Sequence, residues 1–268
     1  MPKFEANIQF MYNEYEPLDR FDRAAVAGFT GVEWQAPYGV PIPDIVECLQ
    51  KNNLTQVLIN LPGTDPDTGK QNLAINPSRQ DLFRERIDMG LEYAKGLGVF
   101  VVNSGVGPAI EGVSDEDMWG AYIENIKYAA PLFAEIGTKL AIEPINTRDQ
   151  PGFFINTSTG GAKAVMEVGH ENFGLQYDVY HMQIMEGDLA PHIEAHLDII
   201  SHIQIADTPG RHEPGTGEIN YPFIFDHLDS IGYTGWIGAE YNPIGHTEEG
   251  LDWVKPYLQS PEALEGRT

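Results

Sequence analysis

The chain has 268 residues, 42% of them hydrophobic, and its 40 acidic and 16 basic side chains give a formal net charge of −24. This length allows one large α/β domain or two smaller ones, and the charge disfavours nucleic acid and anionic lipid as partners. Cys48 is the only cysteine, and the sequence has neither a signal-peptide pattern nor an apolar run long enough to span a bilayer. We therefore expect a soluble cytoplasmic protein that does not bind membranes.

Eight short runs rich in β-branched and aromatic residues predict strands. They occupy 4–10, 31–35, 55–61, 99–105, 139–144, 173–178, 200–207 and 235–241. The longer segments between them have apolar residues three and four positions apart, which predicts helices, with Ser78 and Ser114 as N-caps. Eight alternating units are typical of a closed parallel sheet, so we predict an α/β fold with one (β/α)8 TIM-barrel domain over 1–268. An open doubly wound sheet would place a glycine-rich turn after the first strand, where 9–17 contains no glycine.

Four oxygen-bearing side chains lie in or at the ends of the last four predicted strands. Glu143, Asp178, Gln204 and Glu240 are separated by 35, 26 and 36 residues, about one strand and helix each. The carboxyl ends of barrel strands meet at one face, so we expect these groups to converge there. Three carboxylates in a dry pocket repel one another unless a cation joins them, and oxygen donors favour Mg²⁺ or Mn²⁺ over Zn²⁺. The alternative is that each acid caps a helix or pairs with a basic residue.

Three basic or ionisable residues are candidates for binding a substrate at the same face. His181 follows Asp178 by three residues, and His202 shares the inward side of its strand with Gln204. Arg211 lies in the Gly- and Pro-rich loop 208–221, where a guanidinium is suited to pair with a substrate carboxylate. We expect Arg148, in the loop 146–154, to bridge surface acids instead.

Several stretches carry a family likeness, in order and through essentially the whole chain. They include "AIEPINTRDQPGFF", "LQYDVYHMQIMEGDL", "HIQIADTPGRHEPGTGEINY" and "GWIGAEYNP", and the part from Gln204 to Tyr221 is the most specific. The sequence resembles the hydroxypyruvate isomerase family, within the xylose-isomerase-like barrel superfamily.

The resemblance implies isomerisation of a small anionic sugar acid, hydroxypyruvate to tartronate semialdehyde, with a divalent metal and no organic cofactor. By position, Glu143 and Glu240 are similar to the family's two acid/base glutamates, and Asp178 and Gln204 to the remaining metal ligands. His181 resembles the histidine that contacts the substrate oxygen. Gln71 stands where the resemblance leads us to expect an arginine.

Other functions stay open at this point. A sister group isomerises four-carbon 2-oxo acids, and related barrels are ketose 3-epimerases that act on neutral sugars. A three-zinc DNA endonuclease of the same superfamily is disfavoured by the net charge and by Asn60, Asn103 and Gly210 at positions where its ligands would stand. A non-catalytic sugar-binding protein would have little need for paired glutamates around a metal. The sequence leaves both a monomer and a homo-oligomer open.

Overall fold

The computed structural model describes residues 3–258. In that range eight parallel strands pair in chain order, and the eighth pairs with the first, so the sheet closes into a barrel. The strands are β1 (Lys3–Asn7), β2 (Gly31–Glu33), β3 (Thr55–Asn60), β4 (Val101–Asn103), β5 (Lys139–Ile142), β6 (Phe173–Asp178), β7 (Ile200–Ile205) and β8 (Trp236–Ala239). All eight predicted strands exist, and the predicted (β/α)8 TIM barrel is confirmed.

Helices pack around the outside of the barrel. They are α1 (Asp19–Val26), α2 (Ile42–Asn52), α3 (Gln80–Leu97), α4 (Asp115–Glu135), α5 (Ser158–Val168), α6 (Val179–Met185), α7 (Leu189–His196) and α8 (Tyr221–Ser230). Ser114 caps α4 as predicted, because its side chain accepts the N–H of Asp117 at 3.1 Å. Ser78 does not cap α3, which begins after Arg79, so that prediction is wrong. In the described range no helix combines the length and the apolar character that a bilayer span requires.

The last unit of the barrel differs from the other seven. Between β8 and Leu258 the chain forms two short 3-10 helices, Thr247–Gly250 and Lys255–Tyr257, and no α-helix. Prolines and glycines recur in this segment and disfavour a longer helix. The indole of Trp253 covers β1 instead, packing edge-on against Phe4 with ring centroids 5.6 Å apart.

The interior of the barrel is divided into an apolar part and a polar part. Alternate side chains of a strand face the same way, so every second residue faces the barrel axis. On β3, β4 and β5, Leu58, Val101 and Ala141 form a small apolar cluster separate from the main core. On the strands across the barrel, the interior is occupied by fully buried polar side chains instead: Glu5, Glu33, Gln176 and His202. The interior therefore carries ionisable groups below the strand ends where the candidate site lies.

Candidate active site

Three carboxylates converge at the carboxyl ends of the strands. Glu143 immediately follows β5, Asp178 is the last residue of β6, and Glu240 immediately follows β8. All three are buried, with at most 5% of the side chain exposed. Glu143 and Glu240 line a cavity of about 520 Å³ that opens at this face. The structure thus brings together acids that lie almost a hundred residues apart in the sequence.

Asp178 is both a helix cap and a member of the site. Its Oδ1 accepts the N–H groups of Tyr180 at 2.8 Å and His181 at 3.4 Å, which caps α6. The cap alternative therefore holds for one oxygen of this acid. Its Oδ2 makes no hydrogen bond among the described residues, and lies 3.5 Å from His181 Nε2 and 3.8 Å from Arg211 Nη2. One carboxylate oxygen remains available to a ligand because the cap uses only the other.

The predicted substrate histidine lies in the first turn of α6, beside Glu143. His181 Nε2 is 3.7 Å from Glu143 Oε1, and its Nδ1 is 2.6 Å from Asn146 Nδ2. The other oxygen of Glu143 accepts a hydrogen bond from Asn103 Nδ2 at 2.6 Å. Asn103 thus holds Glu143 and Asn146 holds His181, each from the side away from the cavity. Glu143 Oε1 and His181 Nε2 remain on the cavity side.

Arg211 supplies positive charge opposite Glu143. Its Nη2 is 2.8 Å from Glu240 Oε1, which also accepts a hydrogen bond from Gln35 Nε2 at 3.0 Å. The guanidinium lies over two aromatic rings, 4.8 Å from the centroid of Phe10 and 5.3 Å from that of Tyr180. Ion pairing and stacking together fix the direction of this side chain, as expected for an arginine between carboxylates and aromatic faces.

The loop that carries Arg211 is organised by one buried carboxylate, Asp207. Its two oxygens accept backbone N–H groups from four loop residues: Thr208, Gly215, Gly217 and Ile219. Gly217 passes so close to the Thr208 carbonyl that a side chain would not fit there. The Arg211 carbonyl accepts the Asn242 N–H at 2.8 Å, which ties the loop to the segment after β8. The loop therefore has a fixed conformation, which places Arg211 at the cavity.

Burial and mutual repulsion shift the pKa values of the site. Burial raises the pKa of Glu143 well above its usual range, and Glu240 and Asp178 raise it further. Burial also raises the pKa of Glu240 to about 8, against the opposing effect of Arg211. Burial lowers the pKa of His181 to about 4, so this ring is neutral at pH 7. Without a cation, Glu240 therefore retains its proton near neutral pH.

The donor set suits a divalent cation. Asp178 Oδ2 and Glu240 Oε2 are buried and make no hydrogen bond among the described residues. One ligand atom each from Glu143, Asp178 and His181 lie within 4.8 Å of one another. Buried oxygens without partners are costly, and a bound cation would remove that cost. Because oxygens dominate the set, a hard ion fits better than a soft one.

Gln204 and His202, also predicted for the site, lie on the inward side of β7. Gln204 is level with Asp178 in the β6–β7 register. Its Nε2 donates to Glu33 Oε2 at 2.8 Å, and its Oε1 accepts a hydrogen bond from Gln176 Nε2 at 2.5 Å. His202 lies deeper, with its Nε2 2.5 Å from Glu33 Oε1 and 3.3 Å from Glu5 Oε1. It is fully buried and does not line the cavity.

Several residues that line or support the cavity were not predicted as site residues. Gln35 follows β2 and Asn103 ends β4, so position at a strand end was a signal that pointed to both. Asn146 and Asp149 lie in a loop, where spacing carries no such signal. Gln71, at the position where an arginine was expected, lines the cavity. Arg148 is exposed and does not line it.

Comparisons with known proteins agree with this architecture. Residues 21–257 match the family model of the xylose isomerase-like TIM barrel. A 2-oxo-tetronate isomerase of Cupriavidus necator is 43% identical over 96% of this chain and 99% of its own. The hydroxypyruvate isomerase of Escherichia coli is 41% identical over 96% of this chain and 100% of its own. A crystal structure described as an AP endonuclease of family 2 from Brucella melitensis is 43% identical, with a TM-score of 0.94 over 97% of this chain and 100% of that one.

Proposed function

The chain belongs to the xylose isomerase-like TIM barrels and is an isomerase of the hydroxypyruvate isomerase type, and we propose that it interconverts hydroxypyruvate and tartronate semialdehyde. The observation that carries the proposal is one cavity with two buried glutamates, Glu143 and Glu240, on strands from different parts of the barrel, and one arginine beside them. A small anionic 2-oxo acid fits this combination, because the cavity offers both a counter-charge and two groups for proton transfer.

The reaction moves one hydrogen between neighbouring carbons. A base removes a proton from the hydroxymethyl carbon, and the electron pair forms the double bond of an enediolate while the ketone oxygen gains negative charge. Return of the first proton to the former ketone carbon, with transfer of the hydroxyl proton from the other oxygen to the former ketone oxygen, gives the aldehyde and a new hydroxyl group. Both steps are catalysed by carboxyl groups whose pKa values lie near the working pH. Burial raises the pKa of Glu240 to about 8, which lies in this range, and it also raises the pKa of Glu143.

We assign Glu143 and Glu240 as the acid/base pair, with Asp178 and Gln204 completing a set that would hold Mg²⁺ or Mn²⁺. A divalent ion bound there supplies positive charge that stabilises oxygen anions of the substrate. Arg211 stacks against Phe10 and Tyr180 and holds the substrate carboxylate or a neighbouring oxygen. His181 contacts a substrate oxygen from the α6 side. His202, for which substrate binding was predicted, stays a prediction and lies in the barrel interior.

The substrate has a close competitor, because the relatives include enzymes named for a four-carbon 2-oxo-tetronate. A smaller recess of about 80 Å³ adjoins the cavity next to Glu143 and Asn103, and gives room beyond the reacting carbons. A ketose 3-epimerase on neutral sugars is the second competitor. An anionic substrate is favoured over it because Arg211 is held inside the cavity.

The test is a substrate panel with the purified protein. Hydroxypyruvate, a 2-oxo-tetronate and neutral ketohexoses are each incubated with Mg²⁺, with Mn²⁺ or with a chelator, and products are identified by NMR. We expect turnover of the sugar acids, lost on chelation and restored by metal. Turnover of neutral sugars alone would refute the proposal. Glu240→Gln is the matched control, because it retains the shape of the side chain and removes the ionisable group.

We further propose that residues 1–268 act as one catalytic domain in the cytoplasm, without a nucleic-acid partner. The net charge of −24 opposes a phosphate backbone, and the single cysteine suits a reducing compartment. Incubation with DNA containing an abasic site, under the same metal conditions, should leave the strand uncleaved.

A further inference from the structure

Asn146 touches the candidate substrate histidine on the side away from the cavity. Its Nδ2 lies 2.6 Å from His181 Nδ1. Asn146 is fully buried and His181 is 1% exposed, so water does not compete for this contact. At that distance a hydrogen bond joins the two nitrogens. If Asn146 Nδ2 is the donor, His181 Nδ1 has no proton and the ring proton lies on Nε2; if Nδ1 is the donor, Nε2 of a neutral ring has no proton.

The hydrogen-bond network fixes the orientation of the Asn146 amide. The Asp149 backbone N–H donates to Asn146 Oδ1 at 2.8 Å, so the oxygen end of the amide faces away from the ring. Asn146 Nδ2 also donates to Asp149 Oδ2 at 3.1 Å, and that oxygen accepts the Tyr180 hydroxyl at 2.8 Å. A flipped amide would break both contacts with Asp149. The amide NH₂ therefore faces the ring, and His181 Nδ1 must be an unprotonated acceptor.

The charge of Asp149 supports this arrangement, which leaves one position for the ring proton of His181. Burial would raise the pKa of Asp149, but hydrogen bonds from Asn146 and Tyr180 lower it, so this carboxylate stays ionised and can only accept. Because Nδ1 accepts the Asn146 N–H and has no proton of its own, the ring is not the doubly protonated imidazolium and has a single proton. That proton must then be on Nε2, which lies 3.5 Å from Asp178 Oδ2 and 3.7 Å from Glu143 Oε1 at the cavity.

We propose that Asn146 is a positioning residue that holds His181 as the neutral Nε2–H tautomer, so that the imidazole enters the cavity only as a hydrogen-bond donor. A neutral imidazole of this kind polarises a substrate oxygen without carrying a proton between carbons. It also cannot ligate a cation through Nε2, which leaves the cation to the carboxylate and amide oxygens. The role toward substrate rests on the proposed isomerase function, whereas the tautomer is a property of the protein alone.

The tautomer is measured directly by ¹⁵N NMR of the metal-free, full-length protein labelled in histidine. Long-range ¹H–¹⁵N correlations distinguish a protonated from an unprotonated ring nitrogen, and His181→Gln identifies the signals among the eight histidines. At pH 7 we expect a protonated Nε2 and a bare Nδ1 in the wild type, with this form favoured more than about tenfold over its counterpart. A protonated Nδ1, or a rapidly averaged pair, would overturn the proposal.

Asn146→Asp is the second test, because a carboxylate at this position can only accept a hydrogen bond, so Nδ1 must be protonated to donate one. We expect its His181 signals to change to a protonated Nδ1, whereas Thr147→Ala should retain the wild-type pattern. Thr147 lies in the same loop, and its side chain contacts only Met185 Sδ, at 3.7 Å, among the described hydrogen-bond partners. An unchanged pattern in Asn146→Asp would contradict the role of Asn146. If that variant does not fold, the wild-type spectrum still decides the tautomer.

The kinetic consequence is tested separately with metal and hydroxypyruvate. Asn146→Asp should lower kcat by about 10- to 100-fold while Thr147→Ala stays within about twofold, because removal of one oriented donor affects the transition state. An unchanged kcat alongside a changed tautomer would refute the donor role. The spectra need no substrate, so absence of isomerase activity in the wild type would refute the proposed function and leave the tautomer result standing.

Discussion

Two buried clusters in this barrel contain the same kinds of groups and behave differently. At the mouth, Glu143 and Asp178 surround His181; in the interior, Glu5 and Glu33 surround His202. Both clusters have carboxylate oxygens that make no hydrogen bond among the described residues, Asp178 Oδ2 in one and the two oxygens of Glu5 in the other, but only the mouth cluster faces a cavity, of about 520 Å³. In the interior cluster, Glu33 accepts hydrogen bonds from Asn7 at 2.6 Å and Gln204 at 2.8 Å and pairs with His202. Residue type alone therefore does not identify a site.

The position along the strand makes the difference. Gly238, one layer below Glu240, has no side chain, and the carboxylate of Glu33 fills the space that a side chain would occupy. His202 and Gln204 hold that carboxylate ionised, so the pKa of Glu33 is lowered although burial opposes the change. The pKa of Glu5 is raised well above its usual range by burial and by the neighbouring charge of Glu33. The Glu33 carboxylate of the interior cluster is thus held by hydrogen bonds from within the protein, whereas the mouth cluster faces a cavity that a ligand can enter.

The largest expected effect is on stability, from removal of the interior histidine. His202→Ala removes the contact at 2.5 Å that holds the buried carboxylate of Glu33, and we expect a loss of about 3–5 kcal/mol in the free energy of unfolding. Urea denaturation measures it. His246→Ala, at a histidine that is exposed, should change stability by less than about 0.5 kcal/mol. Equal effects in the two variants would show that the contact between His202 and Glu33 does not stabilise the protein.

At the mouth, the same kind of change should affect turnover. Glu143→Gln or Glu240→Gln should reduce kcat at least ~100-fold, since each removes an acid/base group. Steady-state assays measure the loss, and thermal melting checks that the variants fold. Near-normal activity in either variant would exclude that glutamate from the mechanism.

Metal affinity should depend on pH because the acids of the mouth cluster must lose protons to bind a cation. With the pKa of Glu240 at about 8 in the metal-free protein, its carboxyl is mostly protonated at pH 7. Affinity for Mn²⁺ should therefore rise between pH 6 and 8, about tenfold per pH unit for each proton displaced, and level off above that range. Calorimetry in two buffers of different ionisation enthalpy measures the released protons. An affinity independent of pH would show that these carboxyls are already ionised.

The smallest effect is expected for Glu5→Gln. Burial raises the pKa of Glu5, and its carboxyl oxygens make no hydrogen bond among the described residues, so an amide of the same shape should change stability by less than about 1 kcal/mol and leave both kcat and Mn²⁺ affinity unchanged. A loss of metal affinity in this variant would show instead that the interior cluster holds the cation, and would reverse the comparison.

Much of the fold could be predicted because its signals are local. The strands alternate with helical segments, Ser114 stands where α4 begins, and Gly98 adopts a positive φ of 64° where α3 ends. The strand bounds were less accurate. The predicted strand 99–105 is only Val101–Asn103 in the structure, because Ser104 and Gly105 turn into a loop at the mouth and residues 99–100 precede the strand at the opposite end of the barrel.

The candidate site was predictable to the extent that it depends on strand ends. Glu143, Asp178 and Glu240 follow from the topology, and Arg211 from a long loop at the same face. The positions of His202 and Gln204 within β7 depend on how far each lies below the mouth, which the two-residue alternation along a strand does not specify. The contact between Asn146 and His181 depends on the path of an irregular loop.

The sequence by itself determined the closed barrel, the face at which the candidate site lies and the family of the chain, because periodicity, strand ends and long motifs are properties of neighbouring residues. Only the tertiary structure decided which buried acids are neutralised by the protein and which remain available to a ligand. That distinction depends on distances between groups on different strands, and on a glycine that makes room for one of them. No local pattern carries such information.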